Sequence, residues 1–394
     1  MSEVAKQKNC PVCSSSNLRT FLELTQLPIY CNLLWPESDS ARHCPKGDIT
    51  LELCLDCGFI YNSSFDPNLL AYSQDYENSL HYSQRFQDYA NQLAEKLVEK
   101  HQLYGKTILE IGCGKGDFLE SLCRLGKNSG IGFDNSYVSR AEHTDLDIVF
   151  IQDFYSKQYA EYQGDFICCR QVLEHIQDPS ELLNLVKTVI KNKEKIALFF
   201  EVPNTTYILR DLAIWDIIYE HCNYFTEVSL RYVFEKAGFL VNEVTEEFGG
   251  QFLGIEVKPT TINENISVAK SNDLESLVNV VEGFRQRFNE KVEAFKERLF
   301  KLHQASKKIA VWGAGSKGVM FLNLLGDENF TSCAVDINPR KQGKFVAGTG
   351  QPIIAPENLR DMPVDVVLVM NPLYQHEIQA SLANLGLHPE LILI

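Results

Sequence analysis

Ile108-Leu109-Glu110-Ile111-Gly112-Cys113-Gly114-Lys115-Gly116-Asp117-Phe118 carries the decisive reading of this 394-residue chain. A short apolar strand takes up an acidic residue near its end, and three alternating glycines then turn into a helix. Glycines admit turn geometry closed to other residues and let a ligand approach the main chain closely. A dinucleotide site would use G-x-G-x-x-G and rest a pyrophosphate on the helix N-terminus, whereas the spacing here is G-x-G-x-G. Downstream, Gly130-Ile131-Gly132-Phe133-Asp134 reads as the end of a second strand, closed by a carboxylate. Asp153-Phe154 follows a third, Val149-Phe150-Ile151. Phe166-Ile167-Cys168-Cys169-Arg170-Gln171 reads as a fourth, before Val172-Leu173-Glu174-His175-Ile176. These pieces fall at successive strand ends, where open α/β sheets bind ligands.

The G-x-G-x-G spacing resembles motif I of the class I S-adenosylmethionine (SAM) methyltransferases, whose ligand carries a sulfonium and an amino acid moiety. The resemblance implies a SAM site on Glu110, Gly112, Gly114 and Gly116, with the ribose hydroxyls on Asp134. It puts the adenine near Asp153 and Phe154 and adds Arg170 to the cofactor-binding residues. The competing reading is an α/β domain of the same build with an empty or altered pocket.

The chain is long enough for two or three domains with their own cores. Its hydrophobic content of 45% is ordinary, and no apolar run approaches the ~20 residues of a membrane span. The formal charge of −15 argues against broad binding of nucleic acid or anionic membrane. Met1-Ser2-Glu3-Val4-Ala5-Lys6 lacks the apolar core of a signal peptide. Twelve cysteines in so large a chain without such a signal suggest metal ligands and buried thiols rather than disulfides. The expectation is a soluble, cytoplasmic protein.

Cys10-Pro11-Val12-Cys13 and Cys54-Leu55-Asp56-Cys57 are two C-x-x-C knuckles, able to give four thiolates to one tetrahedral zinc. Four thiolates leave no open position, so this zinc would be structural. Incidental cysteines or a redox pair are the alternative, and Cys31, Cys44 and His43 are further ligands by residue type. Pro28, Pro36 and Pro45 between the knuckles suggest a loop-rich zinc-binding module over residues 1–70. A helical pattern from about Tyr72 to Gln102 opens a methyltransferase domain over 71–260, with a fifth strand at Lys195–Val202 and a last one at Gln251–Val257. Pro259–Asn272 reads as a linker. Leu274, Leu277, Val278, Val281, Phe284, Phe288 and Val292 then recur near the 3.6 period, predicting one long helix from Asp273 to about Ser306. Such a helix either packs on its own protein or dimerises, leaving a monomer or a homodimer open.

A second Rossmann-like α/β unit follows over 307–394, with strands at Ile309-Ala310-Val311-Trp312, Ala334-Val335-Asp336 and Val364–Met370. Gly313-x-Gly315-x-x-Gly318 with Asp336 downstream fits the NAD fingerprint, although a lone motif of this kind is weak. The order of parts, with Asp336-Ile337-Asn338-Pro339-Arg340-Lys341-Gln342-Gly343-Lys344 and Gly348-Thr349-Gly350-Gln351-Pro352-Ile353, resembles the three-domain sugar C-methyltransferases of deoxysugar biosynthesis along essentially the whole chain. That resemblance implies methylation of a carbon beside a ketone on a nucleotide-linked, dTDP-type 4-keto sugar. It also implies a non-catalytic zinc and a C-terminal domain that shapes the substrate cleft without a nicotinamide. Lys317 and Arg340 would then face a substrate phosphate.

Such chemistry needs a base, since the carbon must lose a proton before its enolate attacks the methyl group. Tyr219-Glu220-His221-Cys222-Asn223-Tyr224-Phe225 resembles the family's catalytic loop. By that analogy His221 accepts the proton, Glu220 orients it, and His175 is a second polar group facing the sugar. Tyr219, or Tyr72 or Tyr76 from the preceding helical stretch, would supply a phenol. The family's loop reads Tyr-His-Glu-His, so Ile218-Tyr219-Glu220-His221 moves the tyrosine next to the glutamate. Residue chemistry alone leaves three other functions open: an O- or N-methyltransferase of another small metabolite, a zinc-knuckle binding protein, and an NAD-dependent oxidoreductase. Packing or a structural hydrogen bond is the plain alternative for His221, His175, Tyr72 and Tyr76.

Overall fold

Long alternating segments on either side of Pro36 build a hairpin where a loop-rich module is expected. In the computed structural model, which describes residues 8–70, 76–138, 145–190, 196–260, 271–326 and 330–394, β1 (Leu18–Pro28) pairs antiparallel with β2 (Lys46–Cys54). The connection carries the short helix α1 (Ser38–Arg42), and β3 (Ile60–Asn62) lies on the other side of β2. Leu22, Leu27, Ile49, Leu51 and Leu53 are buried, so the hairpin has a core beyond whatever the cysteines hold.

The next helix, α2 (Gln84–His101), starts later than its periodicity suggests, because the Ser83 side chain caps it by accepting the Phe86 N–H. Tyr76 is therefore not helical; it makes an antiparallel bridge with Leu33. Tyr72 and most of the expected linker lie outside the described residues. There follow β4 (Thr107–Ile111), α3 (Asp117–Gly126), β5 (Ser129–Phe133), β6 (Ile148–Ile151), β7 (Phe166–Arg170), α4 (Pro179–Val189) and β8 (Ala197–Pro203). Then come α5 (Thr205–Arg210), β9 (Asn223–Tyr224), α6 (Glu227–Lys236), β10 (Phe239–Glu247) and β11 (Phe252–Pro259). Seven of these strands form one sheet in the order β6-β5-β4-β7-β8-β11-β10, parallel except that β11 runs antiparallel to both neighbours. The strand order reverses at β4, which opens a crevice at its C-terminal end, where the glycines stand. β9 leaves this unit and pairs with β3, so the middle of the chain completes the N-terminal sheet.

The expected single long helix is two, α7 (Ser271–Val281) and α8 (Phe284–Gln304). Gly283 separates them in the left-handed region, at φ 72°, while the apolar period runs on through the break. The C-terminal unit holds β12 (Ile309–Trp312), α9 (Ser316–Leu325), β13 (Cys333–Val335), β14 (Ile353–Ile354), β15 (Val366–Val369), α10 (Gln375–Asn384) and β16 (Glu390–Leu393). Its sheet is wholly parallel, in the order β14-β13-β12-β15-β16. One apolar cluster joins the parts: Phe284 of α8 meets Phe21 of β1 edge-on at 6.0 Å, and Trp215 meets Phe321 of α9 at 4.8 Å. No helix of the described residues is long and apolar enough to cross a membrane.

Candidate active site

The glycine turn is bound to the neighbouring strand before it reaches any ligand. Gly112 and Cys113 both donate their N–H to the Phe133 carbonyl, at 2.7 and 3.0 Å, and the Gly114 N–H donates to Asp134 Oδ2 at 2.8 Å. The other Asp134 oxygen accepts the Ser136 N–H and hydroxyl, both at 2.7 Å. Gly112 and Gly116 have φ of 72° and 91°, and a Cβ on them would lie 2.1 Å from Val172 and 2.5 Å from Phe150. A Cβ on Gly114 would meet nothing within 4 Å, so this glycine borders open space. The open space at Gly114 and the Asp134 carboxylate bonded to it offer room and hydrogen-bond acceptors for a ligand at this turn.

Asp153 accepts the Phe154 N–H, the Gln158 amide and the Tyr159 hydroxyl, which hold its carboxyl below its ordinary pKa, the Tyr159 bond first. The Phe154 side chain is 57% exposed beside it. Glu110 lies under the turn, and one of its carboxylate oxygens has no hydrogen-bond partner. Burial pushes its pKa up to about 8, against the pull of Arg170. The Arg170 guanidinium donates to Glu201 Oε1 through Nε and Nη2, at 3.2 and 3.0 Å, and stacks 4.1 Å from the centre of the Phe118 ring. Glu201 also takes the Tyr89 hydroxyl and the Gln171 amide. Neither Glu201 nor Tyr89 stood out in the sequence, because only the β7–β8 register sets Glu201 opposite Arg170.

Val172 packs on Gly112, and three residues later His175 meets the second loop. His175 Nδ1 lies 2.8 Å from the Glu220 carbonyl, and the two imidazoles of His175 and His221 sit edge-to-face with centroids 5.0 Å apart. Asn223 donates its amide to the Ile176 carbonyl at 2.6 Å, and the Cys222 thiol donates to the Glu174 carbonyl at 3.3 Å. Cys222 thus joins the two loops, and burial pushes its thiol up to about 12, far from a nucleophile's range. Burial lowers His175 to about 4 and His221 well below its usual value, the latter helped by His175 and Lys317, so both rings are neutral at pH 7. Beside them Glu174 is buried, with a pKa raised by burial to about 8.

The Glu220 side chain points the other way, toward the N-terminal sheet. Its Oε2 accepts the Cys31 N–H at 2.9 Å, and Tyr76 also hydrogen-bonds the carboxyl. Burial raises this carboxyl to about 6, opposed first by that Tyr76 bond. Tyr219 departs from the expectation. Its hydroxyl accepts the Asp66 N–H at 2.9 Å and its ring packs on Phe65, so Tyr76 is the tyrosine that meets the glutamate.

In the C-terminal unit Asp336 repeats the bond pattern of Asp134, accepting the Ala314 N–H and the Asn338 N–H, each at 2.9 Å. Lys341 covers that glycine turn, donating to the Ala314 carbonyl and to Asn32 Oδ1 at 3.2 Å each. Lys317 is ion-paired with Asp216 from the middle unit, and Arg340 with Glu77 at 2.8 Å. Both cations thus already meet carboxylates of the chain.

At the far end, Cys10, Cys13, Cys54 and Cys57 place their sulfurs within 4.8 Å of one another, with Cys10–Cys57 at 3.7 Å and Cys13–Cys54 at 3.4 Å. Tetrahedral zinc with ~2.3 Å Zn–S bonds would separate its sulfurs by roughly 3.8 Å. Cys31, Cys44 and His43 are not part of this cluster; Cys31 lies against Glu220 instead.

A family of methyltransferase domains matches residues 79–244, and the family described as the C-methyltransferase C-terminal domain matches residues 255–387. The C-methyltransferase NovU of Streptomyces niveus is 25% identical over 388 residues, 94% of this chain and 90% of that protein. The ubiquinone biosynthesis O-methyltransferase of Proteus mirabilis is 32% identical over 124 residues, 27% of this chain, and the match spans only about half (51%) of that protein's length. Among solved structures, magnesium protoporphyrin IX methyltransferase (ChlM) from Synechocystis PCC 6803 with bound SAH is 16% identical, with a TM-score of 0.35, over 45% of this chain and 84% of that one. The chain thus carries, in this order, a match to a methyltransferase domain and a match to a C-methyltransferase C-terminal domain, and it is similar along nearly its whole length to a C-methyltransferase.

Proposed function

We propose that the protein methylates a carbon next to the ketone of a nucleotide-linked 4-keto deoxysugar, with His221 as the base. The observation that carries this reading is the edge-to-face pair of imidazoles, His175 and His221, joined through Val172 to the glycine turn. SAM bound over Gly112, Gly114 and Gly116, with Asp134 at its ribose and Asp153 and Phe154 at its adenine, supplies the methyl group. His221 would take the proton from the carbon, and the electron pair left as an enolate would attack that methyl, breaking its bond to the sulfonium sulfur and releasing S-adenosylhomocysteine. His175 donates Nδ1–H to the Glu220 carbonyl and so steadies the loop that carries the base. Glu220 and Tyr76 fix the other side of the same loop, and Arg170 positions α3 through its Phe118 contact. Zinc in the four-cysteine cluster is structural in this reading, and residues 1–70, 71–260, 261–306 and 307–394 act as zinc-binding module, methyltransferase domain, connecting helices and cleft-forming domain.

Solvent exchange tests the enolate directly. In deuterium oxide the 4-keto substrate exchanges its α-proton without SAM, and His221→Ala abolishes both exchange and turnover while changing S-adenosylhomocysteine binding less than about twofold. Methylation without exchange would favour an O- or N-methyltransferase; O-methylation is the chemistry in the name of the relatives matched over about half of their length. Thermal shifts with dTDP, UDP, GDP, CDP and NAD identify the handle. A shift with NAD alone would turn the reading toward the C-terminal fingerprint, and no SAM binding at all toward a zinc-knuckle adaptor.

A further inference from the structure

We propose that Glu174, His175 and His221 form a second metal site, which takes one divalent transition-metal ion of the zinc or cobalt class. One carboxylate oxygen and one nitrogen from each ring lie within 4.8 Å of one another, in a group separate from the four cysteines of the knuckles. His175 Nε2 and Glu174 Oε1 are 3.9 Å apart, too far for a hydrogen bond. Two ligands at ~2.0–2.1 Å from a tetrahedral ion would sit roughly 3.4 Å apart, so this pair must draw closer by about 0.5 Å to share one ion.

Two features single this cluster out from a chance grouping. Glu174 is 1% exposed, so its carboxylate is buried beside the two rings, and its Oε2 has no hydrogen-bond partner. The Nδ1–H of His175 donates to the Glu220 carbonyl, the outer bond that metal-binding histidines commonly make, and this presents Nε2 to the cluster. The segments carrying the ligands are laced together by the Asn223–Ile176 and Cys222–Glu174 bonds, so the backbones that bear the donors are tied to each other before any ion arrives. Two imidazoles and a carboxylate suit a borderline divalent ion and leave open positions for water.

This inference meets the proposed reaction at one atom. An ion on His221 takes the lone pair that would accept the substrate proton, so occupancy inhibits enolisation; that consequence, and not the site itself, rests on His221 being the base. The test is a Co2+ titration of the full chain with its cysteine cluster first filled with zinc. One equivalent should give the d–d absorption of a nitrogen- and oxygen-bound ion, without a thiolate charge-transfer band. Glu174→Gln and His221→Ala should each weaken it by more than about tenfold, while unchanged S-adenosylhomocysteine binding certifies their folds. No cobalt absorption, or the same absorption in both variants, overturns the site. Binding that leaves turnover unchanged upholds the site and overturns His221 as base.

Discussion

Glu110 shows how a buried carboxylate can make a binding turn sensitive to pH. Its pKa rises from 4.5 to about 8 through burial, despite the pull of Arg170. Between those values the folded chain keeps the proton and the unfolded chain has lost it. The unfolded state then binds fewer protons, so this contribution to stability is complete below pH 4.5 and falls away as pH rises toward 8. Glu174 and Glu220, raised to about 8 and about 6 by burial, act in the same direction. Glu110→Gln keeps the shape and removes one titration. Urea unfolding at pH 5 and pH 8 should show the parent losing on the order of a few kcal/mol more than the variant over that interval. Equal losses would mean that Arg170 keeps Glu110 ionised throughout.

The glycine turn and the segment after β7 form one device. A Cβ at Gly112 would strike Val172, and Val172 leads directly into Glu174 and His175. Gly112→Ala adds that collision to a left-handed φ costing about 1–2 kcal/mol. Calorimetry should show S-adenosylhomocysteine binding weakened by about tenfold or more, and Val172→Ala in the same chain should restore part of it. No recovery would place the whole cost in the backbone. At this scale the sequence was informative where chemistry is local. The alternating glycines, the strand-end carboxylates and the paired knuckles could be read directly, because each needs only a few neighbouring residues. Gly283 shows the opposite case: Val278, Val281, Phe284 and Phe288 keep the helical period across a left-handed break, so periodicity alone reports one helix. Ser83 did carry a signal, a capping serine just before an apolar run, that would have excluded Tyr76 from the helix. Glu201 carried none, since its partner Arg170 is 31 residues away and adjacent only in the sheet.

Pairings between distant segments also decide how the whole molecule holds together. β9 pairs with β3, the Phe345 N–H donates to the Trp35 carbonyl at 3.0 Å, and Trp215 packs on Phe321. Cys10, Cys54, Cys57 and Phe59 share an apolar cluster with Leu109, Ile167 and Phe225, so the knuckles pack on the sheet that carries the glycine turn. Burial of one large side chain is worth about 1.5–3 kcal/mol, and several such contacts bind each part to the next. The parts should therefore unfold together rather than in turn. The three tryptophans, Trp35, Trp215 and Trp312, stand one in each of the N-terminal, middle and C-terminal parts. Versions retaining a single tryptophan, with phenylalanine at the other two positions, make each part visible by fluorescence. Their urea midpoints, each normalised to a whole-chain signal from far-ultraviolet dichroism, should coincide. Stripping metal from the cysteine cluster with a chelator should lower all three midpoints together, including that of Trp312 in the C-terminal sheet. A fall confined to Trp35 would show that the knuckles stabilise only their own hairpin and that the shared apolar clusters do not couple the parts.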